Sequence, residues 1–311
     1  MKNNANRMLR IIYYAVLAII LTSCGYDIKP EDRIVARTSI FGNNTPALLA
    51  VGSPTKVLAP LPRANSASTQ AANKVKPVYN NPKLRGYKRY ALVIGNSAYT
   101  SRALANPRND AQDITQALRR VGFKVILVVD ASQQQMEQAI RKFGKKLNRK
   151  SVGLFYYAGH AIQYNGENFL IPVDAIDAIT APEHLRYKTV NAQYVLGVME
   201  QAGNGLNIIM LDACRDSPFR GFSRSTTRGL ARVDTPTGSL IVYATSPGDV
   251  AQDGRGRNSP FTSSLLSNIE QPNITVESML KRVIRGVKAK TQGKQVPWFT
   301  TSIDQEFYFV E

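Results

Sequence analysis

Continuous apolar runs that alternate with helical segments restrict the fold of this chain more than any other sequence feature. Five such runs follow residue 88: RYALVIG, KVILVVD, SVGLFYYAG, LNIIMLDA and SLIVYATS. Segments with apolar residues at helical spacing accompany them, namely NDAQDITQALRRVGF, MEQAIRKFGKKL, TVNAQYVLGVMEQAG, SPFTSSLLSNI and VESMLKRVIRGVKAKT. Strands that are apolar throughout are typical of a parallel sheet with both faces covered. With QEFYFV as a closing strand, the sequence predicts an α/β fold with a mostly parallel six-stranded sheet flanked by helices.

Two residues at predicted strand ends are candidates for catalysis. His160 follows the third apolar run and Cys214 follows the fourth. Ligands of such folds bind outside the carboxyl ends of the strands, and a thiol beside an imidazole becomes a strong nucleophile. The backbone N–H groups of Cys214 and Ala161 are candidates to bind an oxyanion there. The alternative is that Cys214 is a small buried hydrophobe, because free cysteine is among the most buried residue types.

The N-terminus has the features of a targeting signal. MKNNANRMLR is a basic segment, and IIYYAVLAIIL is an apolar segment too short for a comfortable membrane span. The following LTSC resembles the lipobox of bacterial lipoproteins, which implies that residues 1–23 are a signal peptide and that Cys24 carries lipid. Gly25 instead of Asp after this cysteine implies an outer-membrane lipoprotein that faces the periplasm. The alternative is a plain N-terminal anchor helix with an incidental cysteine.

Residues 24–87 have a different composition from the rest of the chain. They are rich in Pro, Ala, Ser, Thr and Asn and have no sustained periodicity. Such a segment is predicted to be a flexible, disordered, low-complexity tether. The predicted organisation is therefore a signal peptide, a tether and a single catalytic domain over residues 88–311.

Charge and cysteine content exclude several classes of function. The net charge of +18 first suggests nucleic acid, an anionic membrane or an anionic envelope polymer as partner. We predict no nucleic-acid partner, because no recognition motif accompanies the charge. With Cys24 lipidated, Cys214 is the one thiol left, so no disulfide and no zinc site are expected, and no cofactor is predicted. His184 matches no catalytic motif and is expected to be a surface or packing residue.

From residue 88 onwards the chain resembles the caspase and metacaspase group of cysteine peptidases. The matching pieces are YALVIGNSAY, LANPRNDA, FYYAGHAIQYNGENFLIPVDA, IIMLDACRDSPF, GSLIVYATSPG and NSPFT. His160 precedes Cys214 by 54 residues, close to the caspase separation of roughly 50. The resemblance implies a caspase-like sandwich in which His160 is the general acid/base and Cys214 the nucleophile.

The same resemblance implies a preference for basic substrates. Caspases have Gln two positions before the cysteine, whereas this chain has Asp212, as metacaspases have an acidic residue there. A second acidic residue matches Asp110, and two carboxylates would hold Arg bidentately or Lys. Asp249 and Asp253 are weaker candidates for the rim of this pocket. The alternatives are a local turn cap for Asp212 and a helix N-cap for Asp110, and calcium activation is left open.

Three further expectations concern activity. The residue after the catalytic histidine is usually Gly in this group, and Ala161 adds a Cβ where backbone and substrate approach closely. The loop after the fourth run is either a solvated basic loop or a site of self-processing after one of the arginines from Arg220 to Arg232. The rival function is a catalytically weak or inactive module that binds anionic envelope components through RKFGKKLNRK and KRVIRGVKAK.

Overall fold

The computed structural model describes residues 84, 86–214, 230–232, 235–246, 249 and 251–311. The strands in this part of the chain are β1 (Lys88–Gly95), β2 (Phe123–Val129), β3 (Ser151–Tyr164), β4 (Glu167–Leu170), β5 (Val190–Asn191), β6 (Leu206–Cys214), β7 (Ser239–Tyr243) and β8 (Trp298–Thr301). The helices are α1 (Pro107–Arg120), α2 (Gln133–Gly144), α3 (Leu185–Lys188), α4 (Ala192–Gln201), α5 (Pro260–Leu266) and α6 (Val276–Lys290), with a 3₁₀ turn at Pro182–His184.

The central sheet has the strand order β2-β1-β3-β6-β7-β8. Its first five strands run parallel, and β8 pairs antiparallel with β7. The short strands β4 and β5 extend from the end of β3 as an antiparallel ribbon. The predicted α/β fold with a mostly parallel six-stranded sheet and flanking helices is therefore confirmed.

Two hydrophobic cores cover the two faces of the sheet. Successive residues of β3 alternate between them, so that Leu154 and Tyr156 belong to one core and Phe155 and Tyr157 to the other. The first core also contains apolar residues of α1, α5 and α6, and the second contains those of α2 and α4. Burial on both faces explains why the central strands are apolar throughout.

The prediction that QEFYFV forms the closing strand is wrong. The sixth strand of the sheet is Trp298–Thr301, and Tyr308 makes only an isolated bridge with Thr275. The side chains of Phe307 and Phe309 are buried in the first core. Arg89 donates hydrogen bonds to the carbonyl oxygens of Tyr308 and Phe309 at 3.0 and 2.6 Å. The apolar spacing thus marked a buried segment outside the sheet ladder. Arg89 satisfies the carbonyls of Tyr308 and Phe309, and backbone N–H groups of Val276 and Asn273 satisfy those of Phe307 and Val310.

Side-chain caps begin four of the described helices, including α4, where Asn191 accepts from the Gln193 N–H. Ser132 and Gln135 form a reciprocal capping box at α2, and Thr275 accepts from the Ser278 N–H at α6. Ser259 accepts from the Thr262 N–H at α5, which begins beside the carboxyl edge of the sheet. No helix in the described part of the chain is both long and apolar enough to cross a bilayer.

Candidate active site

His160 and Cys214 lie opposite each other on neighbouring strands. The parallel register of β3 and β6 pairs the two residues directly at the carboxyl end of the ladder between these strands, and β3 continues beyond it to Tyr164 beside β4. Neighbouring strands are about 4.8 Å apart, so the two backbones are adjacent. The third and fourth apolar runs are therefore neighbouring strands, as the sequence prediction of the catalytic pair required.

A backbone carbonyl fixes the tautomer of His160. The imidazole is 5% exposed, and its Nε2 lies 2.8 Å from the carbonyl oxygen of Arg102. Because a carbonyl only accepts hydrogen bonds, Nε2 must carry the proton and Nδ1 is the ring nitrogen that can take one. The ring also packs against Tyr99, with 4.6 Å between ring centroids. Sequence reasoning missed the role of Arg102, since a main-chain acceptor has no signature in residue type.

The loop that carries Arg102 is held in an unusual conformation. Arg102 has φ +58°, in the left-handed region that few non-glycine residues adopt. The hydroxyls of Thr100 and Ser101 both donate to the carboxylate of Asp177, the second at 2.6 Å. These bonds fix the residues immediately before Arg102 and so help to hold its carbonyl against the imidazole.

Two tyrosines hold the backbone of His160, and a glycine makes room for them. The His160 N–H donates to Tyr99 Oη at 2.8 Å, and Tyr157 Oη donates to the His160 carbonyl at 2.7 Å. Gly159 has φ +152°, and a Cβ at this position would lie 2.6 Å from Tyr99 Oη and 2.7 Å from Tyr157 Oη. The Gly-His pair in the sequence is therefore required by close packing and by backbone conformation.

The N–H of Ala161 lies on the edge of β3 that faces β6. The Ile171 N–H donates to the His160 carbonyl at 3.0 Å, and Ala161 is the register partner of Leu170 on β4. This arrangement makes Ala161 and Leu170 a non-hydrogen-bonded pair, whose N–H groups point away from each other. The Ala161 side chain is 1% exposed.

The two predicted specificity residues lie together under the surface. Asp212 is 6% exposed, and its Oδ2 accepts from Ser259 Oγ at 2.5 Å, Thr262 Oγ1 at 2.8 Å and Tyr156 Oη at 3.4 Å. Asp110 is 1% exposed, and its Oδ1 accepts from the Ser259 N–H at 3.1 Å. One serine therefore bonds both carboxylates. With so little exposure, both acids lie beneath the protein surface, and their role in a substrate pocket stays a prediction.

Burial makes this acidic pair hard to ionise. Burial, with the charges of Asp212 and Asp253 beside it, raises the pKa of Asp110 from 3.8 to about 8. Burial also raises the pKa of Asp212 to about 6, although the hydroxyl hydrogen bonds favour its charged form. A cation placed against both acids would offset this cost.

The structure contradicts one of the two alternatives considered for the acidic pair. The N-cap of α1 is Asn106, and Asp110 lies inside the first turn with its side chain bonded to Ser259. The N-cap role considered for Asp110 is therefore wrong. The hydrogen bonds of Asp212 to described residues run to segments distant in sequence, Ser259 among them. The turn after Cys214 lies outside the described residues, so the turn-cap alternative for Asp212 stays open.

Asp253 lies close enough to the acidic pair for its charge to raise the pKa of both acids. Its carboxylate accepts from the backbone N–H groups of Ala105 and Asn106 at 2.8 and 3.2 Å. These bonds join the loop after β7 to the segment before α1. Asp249 is exposed in the same loop. Both placements leave the rim assignment a prediction.

Other predicted residues lie away from the site or outside the described residues. His184 is half-buried, and its Nδ1 lies 3.4 Å from Thr180 N, which fits a local packing role. Arg232 is exposed and lies over the Trp298 ring at 5.8 Å. Cys24 and the arginines from Arg220 to Arg228 lie outside the described residues. The described residues contain no group of His, Cys, Asp and Glu that could hold a metal ion.

Comparison with known protein families assigns the chain. A family model described as a caspase domain matches residues 88–308. The chain belongs to this caspase-domain family. It is a family of cysteine peptidases, and the sequence resemblance to caspases is thereby confirmed. The caspase-domain match covers every strand of the sheet as well as His160 and Cys214.

Two curated relatives match part of this caspase domain. The human mucosa-associated lymphoid tissue lymphoma translocation protein 1 is 35% identical over 129 residues, which are 40% of this chain and 15% of that protein. Its mouse homologue is also 35% identical over 129 residues and is covered over 14% of its length. The chain thus spans less than a sixth of the length of these relatives.

Proposed function

We propose that the chain is a cysteine endopeptidase that cleaves after Arg or Lys and is anchored to a membrane by lipid on Cys24. The observation that carries the proposal is the direct pairing of His160 with Cys214 at the carboxyl edge of the sheet. The buried acids Asp110 and Asp212, joined by Ser259, support the choice of substrate.

The catalytic steps follow from the tautomer of His160. With Nε2–H donated to the Arg102 carbonyl, Nδ1 accepts the proton of the Cys214 thiol. The thiolate attacks the substrate carbonyl carbon, and the N–H groups of Ala161 and Cys214 stabilise the oxyanion. His160 then protonates the leaving amine, which gives a thioester. Water, deprotonated by His160, hydrolyses the thioester and restores the thiol.

The acidic pair supports selection of a basic side chain. A guanidinium offers two parallel N–H donors, which suit two carboxylates bridged by one serine. Its positive charge lowers the cost of ionising Asp110 and Asp212 in a buried site. A substrate aspartate would add a third negative charge and is expected to be rejected.

The N-terminal part of the proposal rests on the sequence alone. Cleavage before Cys24 and attachment of lipid would leave the caspase domain at the end of the segment 24–87. The expected location is the outer membrane, on its periplasmic side. Metabolic labelling with palmitate should label the wild-type protein and not Cys24→Ala. A wild-type protein that is unlabelled and keeps residues 1–23 would favour the plain anchor helix.

A set of reporter peptides tests the chemistry. Peptides with Arg, Lys, citrulline or Asp before the scissile bond are incubated with the wild-type chain and with Cys214→Ala, with and without calcium. We expect turnover of the Arg and Lys peptides by the wild type alone. Turnover independent of Cys214 would indicate a contaminant. No turnover in either condition would contradict the peptidase proposal and favour the binding module.

A further inference from the structure

A cationic cavity lies between the loop after β7 and the C-terminal end of α6. Its volume is about 610 Å³, within the range of ligand sites. The described residues that line it include four cations and no carboxylate, the cations being Arg255, Arg257, Lys290 and Lys294. Four positive side chains around one cavity repel each other unless anions offset them.

Only one of these cations has a carboxylate partner among the described residues. Arg257 makes two bonds of 2.9 Å to the two oxygens of Asp113. Lys290 donates instead to the hydroxyl of Ser263 at 2.6 Å, and partial burial lowers the pKa of its ammonium. The described ion pairs include none that involves Arg255, Lys290 or Lys294. Three positive charges thus face the cavity without a counterion from the described part of the chain.

The chemistry of the lining favours a phosphate group. Arginine offers a planar fork of donors, and lysine offers a point charge with three donors, both suited to phosphate oxygens. A phosphate group brings up to two negative charges and several acceptor oxygens, which balance three cations better than one carboxylate does. Asn258 and Ser263 add uncharged polar groups to the lining.

We propose that this cavity binds a phosphate group, carried either by a small anion in solution or by a phospholipid headgroup. The site is separate from the peptidase chemistry. Because binding can be measured without turnover, a test of this proposal does not depend on the activity of Cys214. Asn258 contacts both the cavity and the acidic pair. Its side chain lines the cavity and forms hydrogen bonds to the carboxylates of Asp110 and Asp113.

Inorganic pyrophosphate is the soluble probe. Its binding to the full chain is measured by calorimetry at fixed ionic strength, because exposed charges are screened by salt. The cavity variant is Lys290→Gln with Lys294→Gln, and the matched control is Lys88→Gln with Lys188→Gln, two exposed lysines outside the cavity and outside the basic segment 141–150. We expect saturable binding that weakens at least about tenfold in the cavity variant and less than about twofold in the control, as loss of charge-assisted hydrogen bonds implies.

Vesicles distinguish the source of the phosphate. The same two variants are compared on phosphatidylglycerol and phosphatidylcholine vesicles, and their shared N-terminus cancels any contribution of an anchor. A larger loss of phosphatidylglycerol binding in the cavity variant assigns the site to a lipid headgroup, and an effect on pyrophosphate alone assigns it to a soluble anion. If neither probe separates the two variants, the proposal is wrong. Should the lysine variant fail to fold, Arg255→Gln in the exposed loop decides by the same criteria.

Discussion

Replacing Asp110 by Asn should remove most of the pH dependence of arginine selection. The wild-type protein has two buried acids with pKa values of about 8 for Asp110 and about 6 for Asp212. Below pH 6 both are largely protonated and offer a guanidinium no countercharge. Above pH 8 both are ionised. Preference for arginine should therefore rise with pH.

The size of the effect follows from the titration of Asp110. Its ionised fraction rises from about 1% at pH 6 to about one half at pH 8, a change of about 50-fold or about 2.3 kcal/mol. This figure is the upper limit for the change in selectivity, because arginine binding itself favours ionisation of the acids.

The assay compares kcat/KM for an arginine peptide with kcat/KM for the citrulline peptide of the same sequence. Citrulline has the shape of arginine without its charge, so the ratio cancels any pH dependence that the two peptides share. We expect the ratio to rise up to about 50-fold between pH 6 and 8 in the wild type. In Asp110→Asn it should be lower and nearly constant above pH 7.

Asp113→Asn is the control, because Asp113 lies on the same helix but pairs with Arg257. This variant should keep the wild-type rise. A wild-type ratio that does not change between pH 6 and 8.5 would refute the reasoning. So would an unaltered rise in Asp110→Asn.

Three further predictions concern stability and the support of His160. Because burial raises the pKa of Asp110 in the folded state, its contribution to stability is greatest below pH 4 and is lost as pH rises through about 8, so Asp110→Asn should raise Tm more at pH 9 than at pH 5. Gly159→Ala should lower the free energy of unfolding by roughly 1–3 kcal/mol, measured by urea denaturation, because its Cβ would meet two tyrosine hydroxyls; unchanged stability would show that the tyrosines move freely. Tyr99→Phe removes the acceptor of the His160 N–H and should lower kcat with little change in KM, at a stability cost of about 1–3 kcal/mol. Tyr157→Phe removes the donor to the His160 carbonyl. A loss of kcat equal to that of Tyr99→Phe would show that this carbonyl bond matters as much as the N–H bond.

The fold was largely predictable, and the errors have physical causes. Continuous apolar runs identified β1, β2, β3, β6 and β7 because two cores cover the sheet. The closing strand was misplaced because apolar spacing reports burial and not pairing. Phe307 and Phe309 are buried but do not pair with a strand of the sheet. The residues of β8 are only partly buried or exposed, yet they pair with β7.

The site was predictable where residue type carries the chemistry. His160 and Cys214 were predicted because each follows a continuous apolar run, and Asp110 and Asp212 because the family resemblance marks their positions. The structure brings each pair together, and their roles stay predictions. The Arg102 carbonyl and the hydroxyls of Thr262 and Tyr156 were not found. Their roles depend on which segments the fold brings together, and nothing local in the sequence records that.

Ser259 gives the candidate site an evolutionary constraint. The same residue begins α5 through its bond from the Thr262 N–H and joins Asp110 to Asp212. Replacing Ser259 would remove the hydroxyl that bonds Asp212 and the cap of α5 together. Under the proposed function, Ser259 therefore cannot vary without affecting both the selection of arginine and the start of α5.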